Sequence, residues 1–373
     1  MKIPLLDIRA QIKPIRKEID RAIKQVIDSC GFILGEEVKA LEEKITAYCK
    51  VHYAIGVSNG TDAISVALQA VGVKPGDGVI CPAFTYYATA GAIARIGAKP
   101  VFADIDPRTY NISADSVVSE VRKRRSHVQI KAIIPVHLYG QCADMYEILK
   151  IAKNYNLKVI EDTAQGFGAS YKGRKAGTIG DCGTVSFYPG KNLGAFGDAG
   201  CILTNNKALA EKLYTLRNQG TAPKDRYRHV YVGCNARLDT IQAAVLAIRL
   251  KYLDKSNKKR QENAKYYNNR LKMLNLNTPY VPAHNVHIYH QYVLRIRKIK
   301  ERVRQNLVKK GIDSRTFYSI PLHLQPCFKY LGYKKSDFPE SEKCAKELLA
   351  IPVYPELTKK QMDYVIKSID DSL

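Results

Sequence analysis

The chain has no run of 18 or more apolar residues, so no stretch of it reads as a transmembrane helix. Its start, MKIPLLDIRAQIKPIRKEID, is charged almost at once and lacks an apolar core. No secretory signal is therefore expected, and the cytoplasm is the expected compartment. Nine cysteines are present but no CxxC pair, so neither a disulfide framework nor a zinc site is signalled, and no metal is expected. Cys81 and Cys201 sit in apolar strand-like runs, where a free thiol behaves as a small hydrophobe. Internal repeats and low-complexity segments are also missing. Acidic residues are scarce beside basic ones, 35 against 59, for a net charge of +24. That excess suits nucleic acid, an anionic membrane or a phosphate-bearing ligand. The lysines are spread along the chain, however, with only short clusters such as VRKRRSH (121–127) and DKSNKKRQ (254–261). No recognised nucleic-acid module accompanies them, so neither nucleic acid nor membrane is an expected partner.

What is there is an ordinary globular composition, 46% hydrophobic and 25% charged, in 373 residues, enough for a large core and a second unit. Ile15, Ile19, Ile23, Val26 and Ile27 recur at helical spacing, as do Val38, Leu41, Ile45 and Tyr48. From Tyr53 onward, short apolar runs alternate with helical stretches: YAIGVS, GVICPAF, KPVFADI, KAIIPVHL, LKVIED, GTVSFYP and AGCILTN. Several are unbroken, which suits strands covered on both faces. The alternation predicts an α/β domain with a mostly parallel sheet over residues 1–250. RLDTIQAAVLAIRLKYLDKSNKKRQENAKYYNNRLK reads as one long helix, and a smaller α+β unit is expected over 251–373.

In an open α/β sheet, ligands bind beyond the carboxyl ends of the strands, so the residues directly after the apolar runs are the informative ones. YAIGVSNGTDAISVALQA reads as strand, tight turn and helix. Gly60 permits a close turn, Thr61 can cap the helix, and the exposed N–H groups make an anion site. Any strand-to-helix turn can use Asn-Gly-Thr, so this alone is weak. LKVIEDTAQGFG places Glu161 and Asp162 at a strand end, where a carboxylate can satisfy a protonated ring nitrogen and Gln165 can reach a ring substituent. A helix cap or structural ion pair explains the same residues. CPAFTYYATA offers Tyr86 or Tyr87 to stack on a planar ring, although core packing is the usual fate of such residues.

SFYPGKNLGAFGDAG then sets Lys191 among glycines just after an apolar run. A basic hairpin loop is the plain reading. A lysine in a low-polarity pocket is also a nucleophile that forms Schiff bases with carbonyls. Ser186 can bond the same phosphate as Thr61. Anion cup, ring stacker, acid for a pyridinium nitrogen and Schiff-base lysine are together what pyridoxal 5'-phosphate requires of a protein. YPGKNLG lacks the spacing of a nucleotide-binding P-loop, and GAFGDAG is not a dinucleotide-binding GxGxxG.

On these motifs the chain resembles the sugar aminotransferases of the DegT/StrS family, pyridoxal-phosphate enzymes of fold type I (aspartate aminotransferase-like). The likeness runs from LLDIRAQ to LLAIPVYPEL. In that family the lysine of Ser-Phe-x-x-x-Lys-x-Leu-Gly carries the cofactor, which implies Lys191 here, with Ser186 on the phosphate. The resemblance further implies Gly60 and Thr61 at the phosphate, Tyr86 on the ring, Asp162 at the ring nitrogen and Gln165 at the ring hydroxyl. VGCNARLDTIQAA matches the segment that supplies Asn235 to the cofactor of a neighbouring subunit, implying a homodimer with shared sites. His229, Tyr318 and His323 match positions lining a nucleotide-sugar pocket. The implied activity is transfer of an amino group from an amino acid, L-glutamate by resemblance, to a nucleotide-diphosphate keto sugar through pyridoxamine 5'-phosphate. Surface-glycan or lipopolysaccharide synthesis is the family's commonest setting. Dehydratases of the family carry histidine in place of the lysine, so lysine favours a transaminase. KNLGAFGDAG resembles the branch acting on 3-keto sugars more than the Lys-x-Ile-Thr-Thr-Gly-Glu-Gly-Gly of C4 enzymes. A 4-keto sugar or cyclic polyol aminotransferase, and a non-catalytic cofactor-binding regulator, are the alternatives.

Overall fold

A computed structural model describes residues 1–124 and 128–373, so the end of the basic VRKRRSH cluster lies outside the described residues. The chain opens with α1 (Ile8–Ile12), α2 (Arg16–Ser29) and α3 (Glu36–Cys49). Val38, Leu41, Ile45 and Cys49 put the buried stripe of α3 on one face at the i, i+3, i+4 spacing of a packed helix. Alternation follows: β1 (Tyr53–Val57), α4 (Gly60–Ala70), β2 (Gly78–Pro82), α5 (Tyr87–Arg95), β3 (Lys99–Ala103), α6 (Ala114–Arg124), β4 (Ile130–Ile133), α7 (Met145–Tyr155) and β5 (Lys158–Asp162). The two-residue strands β6 (Ser170–Tyr171) and β7 (Arg174–Lys175) form a side hairpin. Then come β8 (Cys182–Ser186), β9 (Gly200–Thr204) and α8 (Lys207–Arg217).

Seven strands pair in the order β1-β9-β8-β5-β4-β2-β3. Only β9 runs antiparallel to its neighbours, so the sheet is mostly parallel, as the alternation predicts. Because side chains alternate across a strand, Val79 and Cys81 join the core beneath α4, α5 and α8, while Ile80 faces the core of α6 and α7. Both faces are covered, which is why the runs read as unbroken apolar. Cys81 is fully buried in the first of these cores, and Cys201 in a further core shared with α3.

Beyond the sheet lie β10 (Thr221–Ala222), β11 (Asp225–His229), α9 (Thr240–Leu250) and α10 (Leu253–Leu271). The single long helix expected here is two, broken at Lys251 and Tyr252. α9 buries apolar residues against α3, whereas α10 turns away and buries Asn257, Arg260, Asn263 and Tyr267, and Tyr252 ties the corner to Glu18 at 2.6 Å. The remaining elements are β12 (Asn285–Val286), β13 (Tyr292–Arg295), α11 (Lys300–Lys309), α12 (Pro339–Glu347), β14 (Leu348–Ile351) and α13 (Lys359–Asp370). β13 pairs with β14, and α10, α11 and α13 pack around them. The cores cross residue 250 in both directions. Ile3 packs into this C-terminal cluster, and Leu322, Phe328 and Phe338 pack into the core of the main sheet. Among the described residues no helix is long and apolar enough to cross a membrane.

Candidate active site

The strand ends of β1, β2, β5 and β8 converge on one region, and the turn after β1 supplies its anion-binding edge. Asn59 is extended (φ −167°, ψ 173°), and its side chain accepts from Asp62 N at 2.8 Å. This corrects the expectation that Thr61 caps α4. A cap residue must precede the helix, and Thr61 already lies in its first turn, leaving the role to Asn59. Asn59 satisfies the N–H groups of Asp62 and Ala63. The N–H groups of Gly60 and Thr61 donate to no acceptor among the described residues. Two free donors at the positive end of an 11-residue helix form a site for an anion. Asp62, on the same turn, is neutralised by Arg95 at 2.5 Å. Burial raises its carboxyl, but hydrogen bonds from Ser58, Arg95 and Asn59 outweigh that and hold it below the usual carboxylate range.

Gly60 is required here by packing. A Cβ on it would lie 2.6 Å from Ser186 Cβ, so only glycine lets the α4 turn sit on the end of β8. Gly200 does the same from β9, where a Cβ would meet the Asn59 carbonyl at 2.6 Å. Ser186 is thereby brought against the turn, with Oγ accepting from Tyr188 N at 3.3 Å. The chain then reverses, Lys191 N donating to Tyr188 O at 2.8 Å and Ala195 N to Phe187 O at 2.7 Å. Lys191 is half-buried on this loop. Burial disfavours its ammonium and brings the amine down from 10.5 to about 8, against the opposing pull of the Asp162 carboxylate.

Glu161 and Asp162, adjacent on β5, have separate fates. Glu161 points away from Lys191 and accepts from His137 Nε2 at 2.8 Å and from the N–H groups of Gly177, Ile179 and Gly180. Burial raises its carboxyl, but His137 and these backbone donors outweigh it and the net direction is down. Asp162 is also buried, with Oδ2 accepting from Thr89 Oγ1 at 2.8 Å and Oδ1 from Ala164 N at 3.1 Å. It is the carboxylate that faces the lysine. Gln165 accepts from Tyr139 N at 2.8 Å and donates through Nε2 to Tyr318 OH at 2.9 Å. Burial, together with the Asp162 charge, pushes the Tyr318 phenol up despite the Gln165 bond. The tyrosine pair also separates, by partner and not by burial: both are exposed, but the Tyr87 ring stacks on Phe328 at 5.8 Å, while the Tyr86 ring lies 5.9 Å from Tyr318.

Three expected residues sit apart from this group. His229 lies on fully exposed β11, its Nδ1 2.9 Å from Gln219 O. Asn235 is exposed, and its backbone bridges Asn218. No hydrogen bond joins either side chain to the residues around Lys191 within this chain, among the described residues. His323 is buried, with Nε2 3.2 Å from Glu342 Oε1 and its ring 4.9 Å from that of Phe338. Conversely, Thr89, Asn192 and His290 belong to the site's surroundings and carried no local signal. Asn192 donates to Asn257 Oδ1 at 2.8 Å, and His290 Nδ1 lies 3.2 Å from Asn192 Oδ1. They reach the site from segments about 100 residues apart.

Comparison with known proteins places the whole chain in a family. The model of the DegT/DnrJ/EryC1/StrS aminotransferase family matches residues 13–370. The chain is 47% identical to the "pleiotropic regulatory protein" of Geobacillus stearothermophilus, covering 99% of this chain and 98% of that one. It is 40% identical to the UDP-2-acetamido-2-deoxy-3-oxo-D-glucuronate aminotransferase of Pseudomonas aeruginosa (95% and 96% covered). It is 41% identical to the dTDP-3-amino-3,6-dideoxy-alpha-D-galactopyranose transaminase of Aneurinibacillus thermoaerophilus (99% of each). Among solved structures, a DegT DnrJ EryC1 StrS aminotransferase from Brucella abortus superposes with a TM-score of 0.95 at 36% identity over 98% of both chains. NtdA from Bacillus subtilis with bound cofactor PMP superposes at 0.91 and 32% identity, over 100% of this chain and 85% of that one. With a family match over nearly its whole length, the chain belongs to the DegT/DnrJ/EryC1/StrS aminotransferase family.

Proposed function

We propose that this protein is a pyridoxal-phosphate-dependent transaminase acting on nucleotide-linked keto sugars, with amination at C3 and L-glutamate as donor. The observation that carries the reading is Lys191: a half-buried amine brought down to about 8, facing Asp162, beside a helix turn with two free N–H donors. The residues present fit the cofactor. Gly60 N, Thr61 N and Ser186 Oγ form a donor set for a phosphate, and Asp162 is a buried carboxylate suited to a protonated ring nitrogen. When bound, pyridoxal phosphate supplies an electrophilic carbon and an electron-withdrawing ring.

The chain's own residues do the rest. Asp162, kept in place by Thr89 and Ala164 N, holds a proton on the ring nitrogen. Tyr86 would cover a face of the bound ring, and Gln165, fixed by Tyr139 N and Tyr318, would bond its hydroxyl. Lys191, neutral at only slightly alkaline pH, takes the proton from the substrate carbon and returns it on the other side of the transfer. His229 and Asn235 then belong to the site of a second copy. The exposure of Tyr227 (82%) and Val232 (94%) on the same arm supports a homodimer in which that arm crosses over. The buried His323 supports Glu342 and Phe338 behind the sugar pocket. The 3-oxo and 3-amino sugars named for two relatives support C3 over C4.

The name of the Geobacillus relative favours a second reading, a regulator that binds the cofactor without turnover. Absorbance separates the two. A transaminase loaded with pyridoxal phosphate is bleached by glutamate and regains its colour with a nucleotide keto sugar, and Lys191→Ala does neither. The loss expected for the variant exceeds the roughly 10²–10⁴-fold of general-base catalysis alone. Turnover close to wild type in repurified Lys191→Ala refutes the assignment, and colour that glutamate leaves unchanged supports the regulator.

A further inference from the structure

Among the described residues the segment 287–290 makes no hydrogen bond to the helix turn or to Glu161 and Asp162, yet it is clamped from three sides beside the lysine loop. Gly140 O accepts from Ile288 N at 2.9 Å. Gln261 and Arg260 of α10 donate to His287 O at 2.9 Å and Tyr289 O at 3.2 Å. From the lysine loop, Asn192 Nδ2 reaches Ile288 O at 3.3 Å and Asn257 Oδ1 at 2.8 Å. Gly140, at φ +103°, completes the fit, since a Cβ there would lie 2.8 Å from His290 N.

These contacts decide a protonation state. A carbonyl only accepts, so the Asn192 atom facing Ile288 O is nitrogen and the atom facing His290 is oxygen. His290 Nδ1 must therefore carry the hydrogen and donate to Asn192 Oδ1 at 3.2 Å. Its Nε2 has no hydrogen-bond partner among the described residues. The charged groups around the ring are Lys191 on the loop and Arg260 on α10, with titratable His287 on its own segment. Burial first, then repulsion from these three, holds His290 well below the usual histidine range, so it remains neutral.

We propose that His290 is a positioning residue for Lys191: its Nδ1–H fixes Asn192, and Asn192 pins the lysine loop to α10 and to segment 287–290. The inference rests on the reading of Lys191 as the reactive amine. Burial is what lowers that amine, so loosening the loop admits water and returns the lysine toward its ordinary basicity.

The test reads Lys191 directly in the full-length, cofactor-free chain, from the pH profile of its acylation by acetic anhydride, followed by mass spectrometry against an exposed lysine. In His290→Leu the midpoint is expected to rise by about one pH unit, a fraction of what full burial imposes. His290→Asn, whose amide nitrogen falls near the Nδ1 position, should retain the wild-type midpoint; His290→Gln, whose amide falls near Nε2, should not. Asn192→Leu breaks the same link from the other side. If the link is the cause, the double variant is no worse than either single one. In the cofactor-loaded enzyme the same variants should lose kcat, by about tenfold, with little change in KM, and His290→Asn should restore it. Should His290→Leu fail to fold, His290→Gln and Asn192→Leu carry the measurement. Unchanged midpoints in these variants, or His290→Asn behaving like His290→Gln, overturn the proposal. If instead Lys191→Ala retains turnover, the reading of the site falls while the acylation result stands.

Discussion

Replacing Lys191 with methionine keeps an unbranched side chain but removes a charge that the fold solvates poorly, so the cofactor-free protein should become more stable. The amine has an ordinary value of 10.5 in the unfolded chain and about 8 in the fold. At about 1.4 kcal/mol per tenfold change in proton affinity, the charged lysine costs at most about 3 to 4 kcal/mol. Below pH 8 both states hold the proton, and the folded wild-type chain bears the whole penalty. Between pH 8 and 10.5 the unfolded state binds more protons, so wild-type stability rises with pH. Above 10.5 the amine is neutral in both states and the penalty is gone. Lys191→Met should thus melt about 4 °C above wild type at neutral pH, at an unfolding entropy of about 2.1 cal/mol/K per residue. The advantage should shrink across the window and vanish at its upper end. Thermal melts of both stripped proteins over that pH range, followed by circular dichroism, make the comparison, and other alkaline titrations cancel in the difference. A difference that is flat with pH, or a variant less stable at neutral pH, refutes the argument that burial lowers this amine.

Asp162→Asn keeps the shape but loses the charge that holds the ring nitrogen protonated, so turnover should fall strongly with modest loss of cofactor; a rate within about threefold of wild type, roughly 0.6 kcal/mol, removes Asp162 from that role. Gly60→Ala drives a Cβ to 2.6 Å from Ser186 Cβ, and overpacking of this kind costs about 1–3 kcal/mol. A fluorescence titration should show pyridoxal phosphate bound at least about tenfold more weakly, and an unchanged Kd contradicts the close-approach role. Unfolding, mixing and refolding Lys191→Ala with Asn235→Ala, each first shown to be impaired, should restore roughly a quarter of all sites if each site draws on both chains of a two-fold dimer. Activity no greater than the parents' average means that each site is built within one chain.

Much of this protein is local, and for that reason legible. Unbroken apolar runs such as GVICP and GCILT suit strands covered on both faces, and they form β2 and β9 of the central sheet. Glycine-rich turns after strands mark where the backbone must come close, as Gly60 does against Ser186. Lys191 in such a turn reads either as a basic hairpin loop or as a reactive amine, and only its resemblance to a family motif favours the second. Three choices lay beyond local reading because they concern the face a side chain takes. Glu161 and Asp162 are chemically alike, but strand alternation sends one to His137 and the other to the lysine. Tyr86 and Tyr87 are identical residues, both exposed, and Phe328, more than 200 positions away, stacks on Tyr87 and leaves Tyr86 beside Tyr318. Asn59 and Thr61 are both good caps, and the start of α4 decides between them. The break between α9 and α10 has the same origin, since the helix turns where its packing partner changes. His290 and Asn192 had no signal at all. Their hydrogen bond joins residues 98 positions apart, and its consequence for the lysine exists only once α10, segment 287–290 and the lysine loop are packed together, because burial is a property of the assembled fold and not of any one segment.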